Sequence, residues 1–342
     1  MRRKGLIQVY TGISEETNFA PFGLGLRAAG HNFRTLITCF TPHELMEACP
    51  VASSLLKPNL FIDHSAIEGI PIGEKPIRDD VLNALKKSAR AILEGDFDIV
   101  VLNGILHLMS QGVVTLEYIL PLMEKKPARV ELVLSGAGMS KEVMERAGLV
   151  TEMVVNRPEP GGKKKNAHEE VGTVEVITGD GKGKTTYCLG KALLTSCREI
   201  PSFILQVIKS PKAYGEVMAI ERLPFLQIKS MGKGFLTGHG ADSDKKHKQA
   251  AREAWEYWLR EIYSQRYGLL VLDEINVATY YGLIRTERVH EMIFLKPKKL
   301  NLLLSGRHAH PDVARSASTV IEMREIKHPF THGVKARKGI EF

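Results

Sequence analysis

The stretch Thr178 to Thr186, TGDGKGKTT, gathers three glycines, two lysines and three threonines in nine residues. Just before it, Val174, Val176 and Ile177 form a short β-branched run, and helical spacing follows from Thr185 to Leu193. A strand, a glycine loop and a helix start in that order turn successive backbone N–H groups inward at a helix N-terminus, where they can hold phosphate oxygens. Lys184 would neutralise the phosphate charge, and a threonine hydroxyl would reach a magnesium ion. The segment predicts a bound nucleoside triphosphate. A strict phosphate loop would carry glycine where this chain has Thr178, so the loop is a variant, effectively one residue short.

Two further clusters could serve the same ligand. Asp273 and Glu274 directly follow an apolar run at 269–272, the place where carboxylates hold magnesium, directly or through water. Arg307 and His310 lie just beyond Leu304. The arginine fork suits phosphate oxygens, and either residue is also placed to cap a helix near Asp312.

The elements that must position these groups occur twice. Val9, Thr11, Gly12 and Gly23 correspond to Val176, Thr178, Gly179 and Gly190 at a constant separation of 167 positions. Later, Asn103, Ser135 and Met153 correspond to Asp273, Ser305 and Met323 at a separation of 170. Each repeat reads as apolar strands alternating with helices, which implies a mostly parallel sheet covered on both faces. In the second repeat a long helix is expected over 245–263, with buried strands at 268–272 and 300–304. Ligands of such sheets bind outside the carboxyl ends of the strands, which brings the glycine loop, the acidic pair and the turn after Ser305 to one edge. The expectation is two tandem three-layer α/β/α domains of the phosphate-loop, RecA-like kind. They would span 1–157 and 172–342, joined by a Pro/Gly-rich charged linker at 158–171.

Only the second repeat keeps the chemistry. Gly183, Lys184 and Thr185 are answered by Glu16, Thr17 and Asn18, Asp273 by Asn103, Glu274 by Gly104, and Arg307 by Ala137. Glu15 and Glu16 would place carboxylates where phosphates should lie. The first half therefore reads as the same fold without a nucleotide site.

The composition suits a globular chain, with 44% hydrophobic and 25% charged residues in 342. Cys39, Cys49, Cys188 and Cys197 show no metal-ligand spacing and read as reduced thiols, which points to a cytoplasmic protein. No export signal and no apolar run of membrane-spanning length is evident. The net charge of +8 suits an anionic partner, and ATP satisfies it as well as nucleic acid would.

Taken together, TGDGKGKTT, the Gly234-Phe235 step, LDEIN, SGRHAHPD and the closing GVKARKGIEF resemble the ATP:corrinoid adenosyltransferases of the phosphate-loop type. The resemblance covers 172–342. It implies transfer of the 5′-deoxyadenosyl group of ATP to Co(I) of a reduced corrinoid, with triphosphate released. ATP is then co-substrate and the corrinoid substrate, with magnesium as cofactor and a Co(II) reductase as the partner that supplies the reduced metal. By match, Gly179, Asp180, Gly181, Lys182, Gly183, Lys184, Thr185, Thr186 and Arg307 would contact the nucleotide. Thr185 and Glu274 would hold magnesium, supported by Asp273. Phe235 and Thr237 fall in the corrinoid motif, where the family's aromatic residue is replaced by Thr237. The tandem repeat would make each chain an internal pseudo-dimer. Two other readings compete: an ATP-binding regulatory protein with its inactive half as a docking surface, and a nucleic-acid-dependent ATPase favoured only by charge.

Overall fold

The computed structural model describes residues 4–12, 18–71, 74, 77–156, 171–211, 214–234, 241–327 and 337–341, the side chains of 241–244 excepted. The first repeat builds β1 (Ile7–Thr11), α1 (Ala20–Gly30), β2 (Thr35–Cys39), α2 (Cys49–Leu56), β3 (Leu60–Asp63), α3 (Arg78–Glu94), β4 (Ile99–Asn103), α4 (Ile105–Ser110), α5 (Leu116–Lys125), β5 (Glu131–Gly136), α6 (Lys141–Arg146) and β6 (Leu149–Asn156). The second builds β7 (Val174–Thr178), α7 (Lys184–Ser196), β8 (Ser202–Gln206), α8 (Gly215–Ile220), β9 (Leu226–Ser230), α9 (Ala241–Tyr263), β10 (Leu269–Asp273), α10 (Ile275–Tyr280), α11 (Thr286–Leu295), β11 (Asn301–Ser305), α12 (Pro311–Arg315) and β12 (Thr319–Lys327). Strands β1, β4 and β10 are buried at every position. That is why their sequences are continuous apolar runs rather than alternations.

The two repeats have the same strand order, and their sheets join edge to edge into a single twelve-stranded sheet, β3-β2-β4-β5-β1-β6-β12-β7-β11-β10-β8-β9. Pairing is parallel throughout except at the junction, where β6 and β12 run antiparallel with Met153 opposite Met323. Those two methionines are repeat equivalents, so a pseudo-two-fold axis passes between them. On one side of the sheet the axis also passes between α1 and α7, at Gly23 and Gly190. A β-carbon on Gly23 would overlap the carbonyl oxygen of Thr186, and one on Gly190 would overlap that of Phe19. Glycine is required at both positions because the helices touch backbone to backbone.

Apolar burial crosses the same boundary. One continuous core combines Phe19, Phe22 and Leu26 with Tyr187, Leu189, Leu193 and Met323, whereas a second core built around Trp255 and Trp258 of α9 belongs to the second repeat alone. The antiparallel junction has a consequence for function. The carboxyl ends of the second repeat's strands lie along the same edge as the amino ends of the first repeat's strands. The linker residues 158–170 lie outside the described residues.

Candidate active site

The sheet edge above β7 and β10 brings together the residues of the glycine loop, the acidic pair and the turn after Ser305. After β7 the chain turns at Gly179 (φ 93°) and Gly183 (φ 114°), and α7 begins at Lys184. Both backbone conformations are left-handed and favour glycine. A second constraint acts on Gly179, where a β-carbon would overlap the carbonyl of Met323, while the Gly181 amide donates to that same carbonyl at 2.7 Å. The loop is thus seated on β12 at the pseudo-axis. Thr178, the departure from the strict motif, uses its hydroxyl to accept from the amide of Ala309 at 3.2 Å. It ties the loop to the turn that carries Arg307.

Lys184 is buried and donates to the carbonyls of Gly179 and Gly181 at 2.7 and 2.6 Å. Burial pulls its ammonium down to about 8, against the attraction of Glu274. Asp273 is fully enclosed. Its Oδ1 accepts from the hydroxyls of Thr185 at 2.9 Å and Ser305 at 2.6 Å, and its Oδ2 accepts from Gln206 at 3.1 Å. Glu274 differs in having no hydrogen-bond donor to its carboxylate among the described residues. Burial, and then the neighbouring Asp273, push its carboxyl up to about 7. Its backbone sits at φ 65°, where a residue with a β-carbon is strained. The equivalent in the first repeat is Gly104 at φ 87°. There, Ser135 donates to Asn103 at 2.6 Å and accepts from the Gly104 amide at 3.1 Å, the same scaffold without its carboxylates.

The pair fits a divalent cation. Two adjacent acidic side chains, one of them without a donor and reluctant to ionise, lie beside a threonine hydroxyl. Among the described residues no group of three His, Cys, Asp or Glu side chains is arranged to hold a metal. Magnesium at Thr185, Asp273 and Glu274 would therefore take its remaining ligands from phosphate oxygens or water.

Lys184, Thr185 and Glu274 border a cavity of about 510 Å³. Its walls carry Lys182, Lys184, Lys209 and Arg307 against Glu274 and Glu341, a balance that favours a polyanion. Lys182 is held at 3.2 Å by Glu341 from the C-terminal tail, whose Arg337 forms a two-pronged pair with the buried Glu131 of β5 at 2.9 and 3.0 Å. Arg307 donates to the carbonyl of Asp180 at 3.1 Å, so it lies over the loop. His310 caps α12 by accepting from the Asp312 amide at 3.2 Å, which gives it a structural position. Phe235 and Thr237 lie outside the described residues. The segment before them ends beside the cavity, where the Gly234 amide donates to the carbonyl of Ile208 at 2.9 Å.

Sequence reasoning missed the far wall of this cavity, which Gln8, Tyr10, Leu24 and Arg27 supply from the first repeat. No local motif marks them. They reach the site because the junction is antiparallel.

These features define a phosphate-loop α/β protein in which two copies of one unit together line a cavity at one sheet edge. Residues 3–163 and 170–342 match the family described as ATP:corrinoid adenosyltransferase BtuR/CobO/CobP, and the chain belongs to that family. A corrinoid adenosyltransferase of Sinorhizobium sp is 36% identical over 194 residues, covering 53% of this chain and 88% of that protein. One from Pseudomonas aeruginosa is 33% identical over 177 residues, 52% of this chain and 86% of its own length. Each is therefore close to one copy in length. An uncharacterized protein of Nostoc sp. is 25% identical over 368 aligned residues, covering 100% of this chain and 96% of that protein. No helix among the described residues is long and apolar enough to cross a membrane.

Proposed function

We propose that this protein transfers the 5′-deoxyadenosyl group of ATP to the Co(I) centre of a reduced corrinoid, using a single site in residues 172–342, with 1–157 as a copy that has lost nucleotide chemistry. The observation that carries the reading is the meeting of the Lys184 loop and Glu274 at one cavity, with Asp273 hydrogen-bonded to Thr185 behind it, in a chain of this family. The cobalt lone pair forms the new bond to C5′ as the C5′–O5′ bond breaks, and its electron pair leaves on the triphosphate oxygen. No proton moves, so no general base is needed. What the chain must do is fix C5′ in line with the metal and stabilise the charge left on the triphosphate. Lys184, whose ammonium lies at the loop, and the amides at the start of α7 would serve the second task. Magnesium held by Thr185 and Glu274, with Asp273 in support, would neutralise part of the phosphate charge.

Gly179 to Thr186 and Arg307 are assigned to the nucleotide, and Phe235 and Thr237 to the corrinoid, on the strength of the motif and of Gly234 beside the cavity. A reductase supplying Co(I) is the expected partner. A regulatory role with the first half as an external docking surface is disfavoured, because both halves match the corrinoid adenosyltransferase family. Incubation with ATP and chemically reduced cobalamin tests the reading, followed by absorbance before and after illumination. A light-sensitive Co–C chromophore is expected. Phosphate release without that chromophore would overturn it.

A further inference from the structure

We propose that Tyr280, Tyr281 and His308 form a stacking platform at the cavity mouth for the tethered nucleotide base of a complete corrinoid, so that the protein selects a base-bearing acceptor such as cobalamin over cobinamide, which lacks the base. The inference rests on the adenosyl-transfer reading above and names the acceptor class for that site.

Tyr280 ends α10, Tyr281 follows it, and His308 lies in the turn after β11. The His308 imidazole is stacked on the Tyr280 ring, with centroids 4.2 Å apart and planes 26° from parallel, and the Tyr281 ring meets Tyr280 edge-on at 5.2 Å. All three residues are exposed, Tyr280 by 60% and Tyr281 by 56%, and Tyr281 and His308 line the cavity. Their packing therefore removes little apolar surface from water. Single exposed aromatic residues are ordinary on a protein surface, whereas a contiguous trio at a cavity rim is not. His308 also sits at φ 60°, in the left-handed region that a β-carbon disfavours. A side chain held there at a conformational cost, with little burial in return, is the pattern of a ligand site.

The other repeat shows that the fold does not need these rings. At the separation of 170 the same positions are Ser110, Gln111 and Gly138. Gly138 keeps the left-handed backbone at φ 82°, and a β-carbon there would overlap that of Ser110, so the two positions adjoin in both copies. The Ser110 hydroxyl donates to the His107 carbonyl at 2.7 Å, and Gln111 Nε2 lies 2.7 Å from His107 Nε2, so both side chains turn back on their own segment. The aromatic trio stands only in the copy that keeps Lys184.

The size of the cavity assigns the partner. A volume of about 510 Å³ is that of a pocket for one ligand of nucleotide size, and the phosphate chain belongs at Lys184. The larger corrinoid must then lie across the mouth, with cobalt facing C5′. Co(I) keeps its reactive electron pair in the axial orbital and holds no axial base, so the tethered base of a complete corrinoid is free of the metal. That base is a flat heterocycle, and exposed aromatic rings supply the face on which such bases stack.

The test is adenosyl transfer to cob(I)alamin and to cob(I)inamide by the full chain, by His308→Gly and by Tyr280→Ser/Tyr281→Gln/His308→Gly. Each acceptor and ATP are varied in turn, and thermal unfolding is recorded for each protein. Stacking of a base on an aromatic ring corresponds to roughly 5- to 150-fold in affinity. Wild type should show a KM for cob(I)alamin below that for cob(I)inamide by a factor in this range, at similar kcat. The triple variant should raise the cob(I)alamin KM to the cob(I)inamide value and leave the KM for cob(I)inamide and for ATP where they were. His308→Gly installs the residue that this backbone prefers and should give part of the same shift, which keeps a folded reading if the triple variant does not fold. Equal KM values for the two acceptors in wild type, a loss shared by both acceptors, or no change in a folded variant overturns the proposal. A rise in the ATP KM alone would put adenine on the platform and also overturns it. If wild type forms no light-sensitive product from either acceptor, the adenosyl-transfer reading fails and this proposal with it, which separates the two failures.

Discussion

Substituting Glu274 should stabilise the ligand-free protein while disabling it. The folded protein holds this carboxyl at about 7 instead of 4.5. A group whose folded value is raised contributes full stability below the unfolded value and loses it as pH rises through the folded one. Ionised Glu274 therefore costs the fold progressively between pH 4.5 and 7. The full displacement corresponds to about 3 kcal/mol, and water entering the open cavity reduces this to about 1–3 kcal/mol. Glu274→Gln removes the charge and keeps the left-handed backbone strain. Glu274→Gly also relieves that strain, worth about 1 kcal/mol more, as the Gly104 counterpart does. Without nucleotide or magnesium at pH 8, calorimetric unfolding should place the Gly variant above Gln and Gln above wild type, each step amounting to a few degrees. At pH 4.5 the Gln advantage should vanish and the Gly advantage should shrink to the backbone part. Both variants should lose magnesium-dependent adenosyl transfer. A Gln variant less stable than wild type at pH 8, or one whose gain does not change with pH, would refute the reasoning.

Lys184→Ala should lower adenosyl transfer on the order of 10²-fold or more, since the ammonium acts on developing charge in a water-poor site; near-normal turnover would remove the loop as the triphosphate site. Calorimetric titration with magnesium-ATP should give one site per chain, lost entirely in Lys184→Ala, and two sites would contradict the erosion of the first repeat at Glu16, Thr17 and Asn18. Gly190→Ala forces a β-carbon into the Phe19 carbonyl and should cost about 3 kcal/mol, read as a fall in denaturation midpoint at unchanged slope. An unshifted midpoint would mean that α1 and α7 do not cross backbone to backbone.

Much of the site was legible because its chemistry is local. The phosphate loop needs glycines, a lysine and a threonine within nine consecutive residues, and the acidic pair needs only the end of an apolar strand. The fold class was legible for a related reason, since buried parallel strands must be apolar at every position. The cavity's far wall was not. Arg27 sits in APFGLGLRAAG, where a cation in the last helical turn is sufficiently explained by the helix dipole. Its role depends on which edge strand pairs with which, and neither β6 nor β12 announces an antiparallel partner. The long helix begins at Ala241, ahead of the expected 245, because polar residues at its start break the apolar periodicity without breaking the helix. His310 could be read as either a ligand or a cap, and the structure makes it a cap.

The antiparallel junction explains why a half whose sequence lacks the loop lysine and the acidic pair still lines the cavity. When two copies of this sheet join at equivalent strands, each loop edge comes to lie beside the other copy's strand beginnings, so each cavity is walled by the partner. Two separate, identical chains would each have to carry both a loop and a wall. Linked in one chain, the copies are no longer equivalent, and each can lose the function that the other does not use. Burying Arg27 and Glu216 is costly, and apolar residues of similar size are often at least as stable at such positions. The equivalent of Arg27 on the other side of the axis is Leu194, the apolar solution. A purely structural interface would favour that solution on both sides. The fully buried arginine–glutamate pair, Arg27 with Glu216, lies on the side of the junction that faces the Lys184 loop.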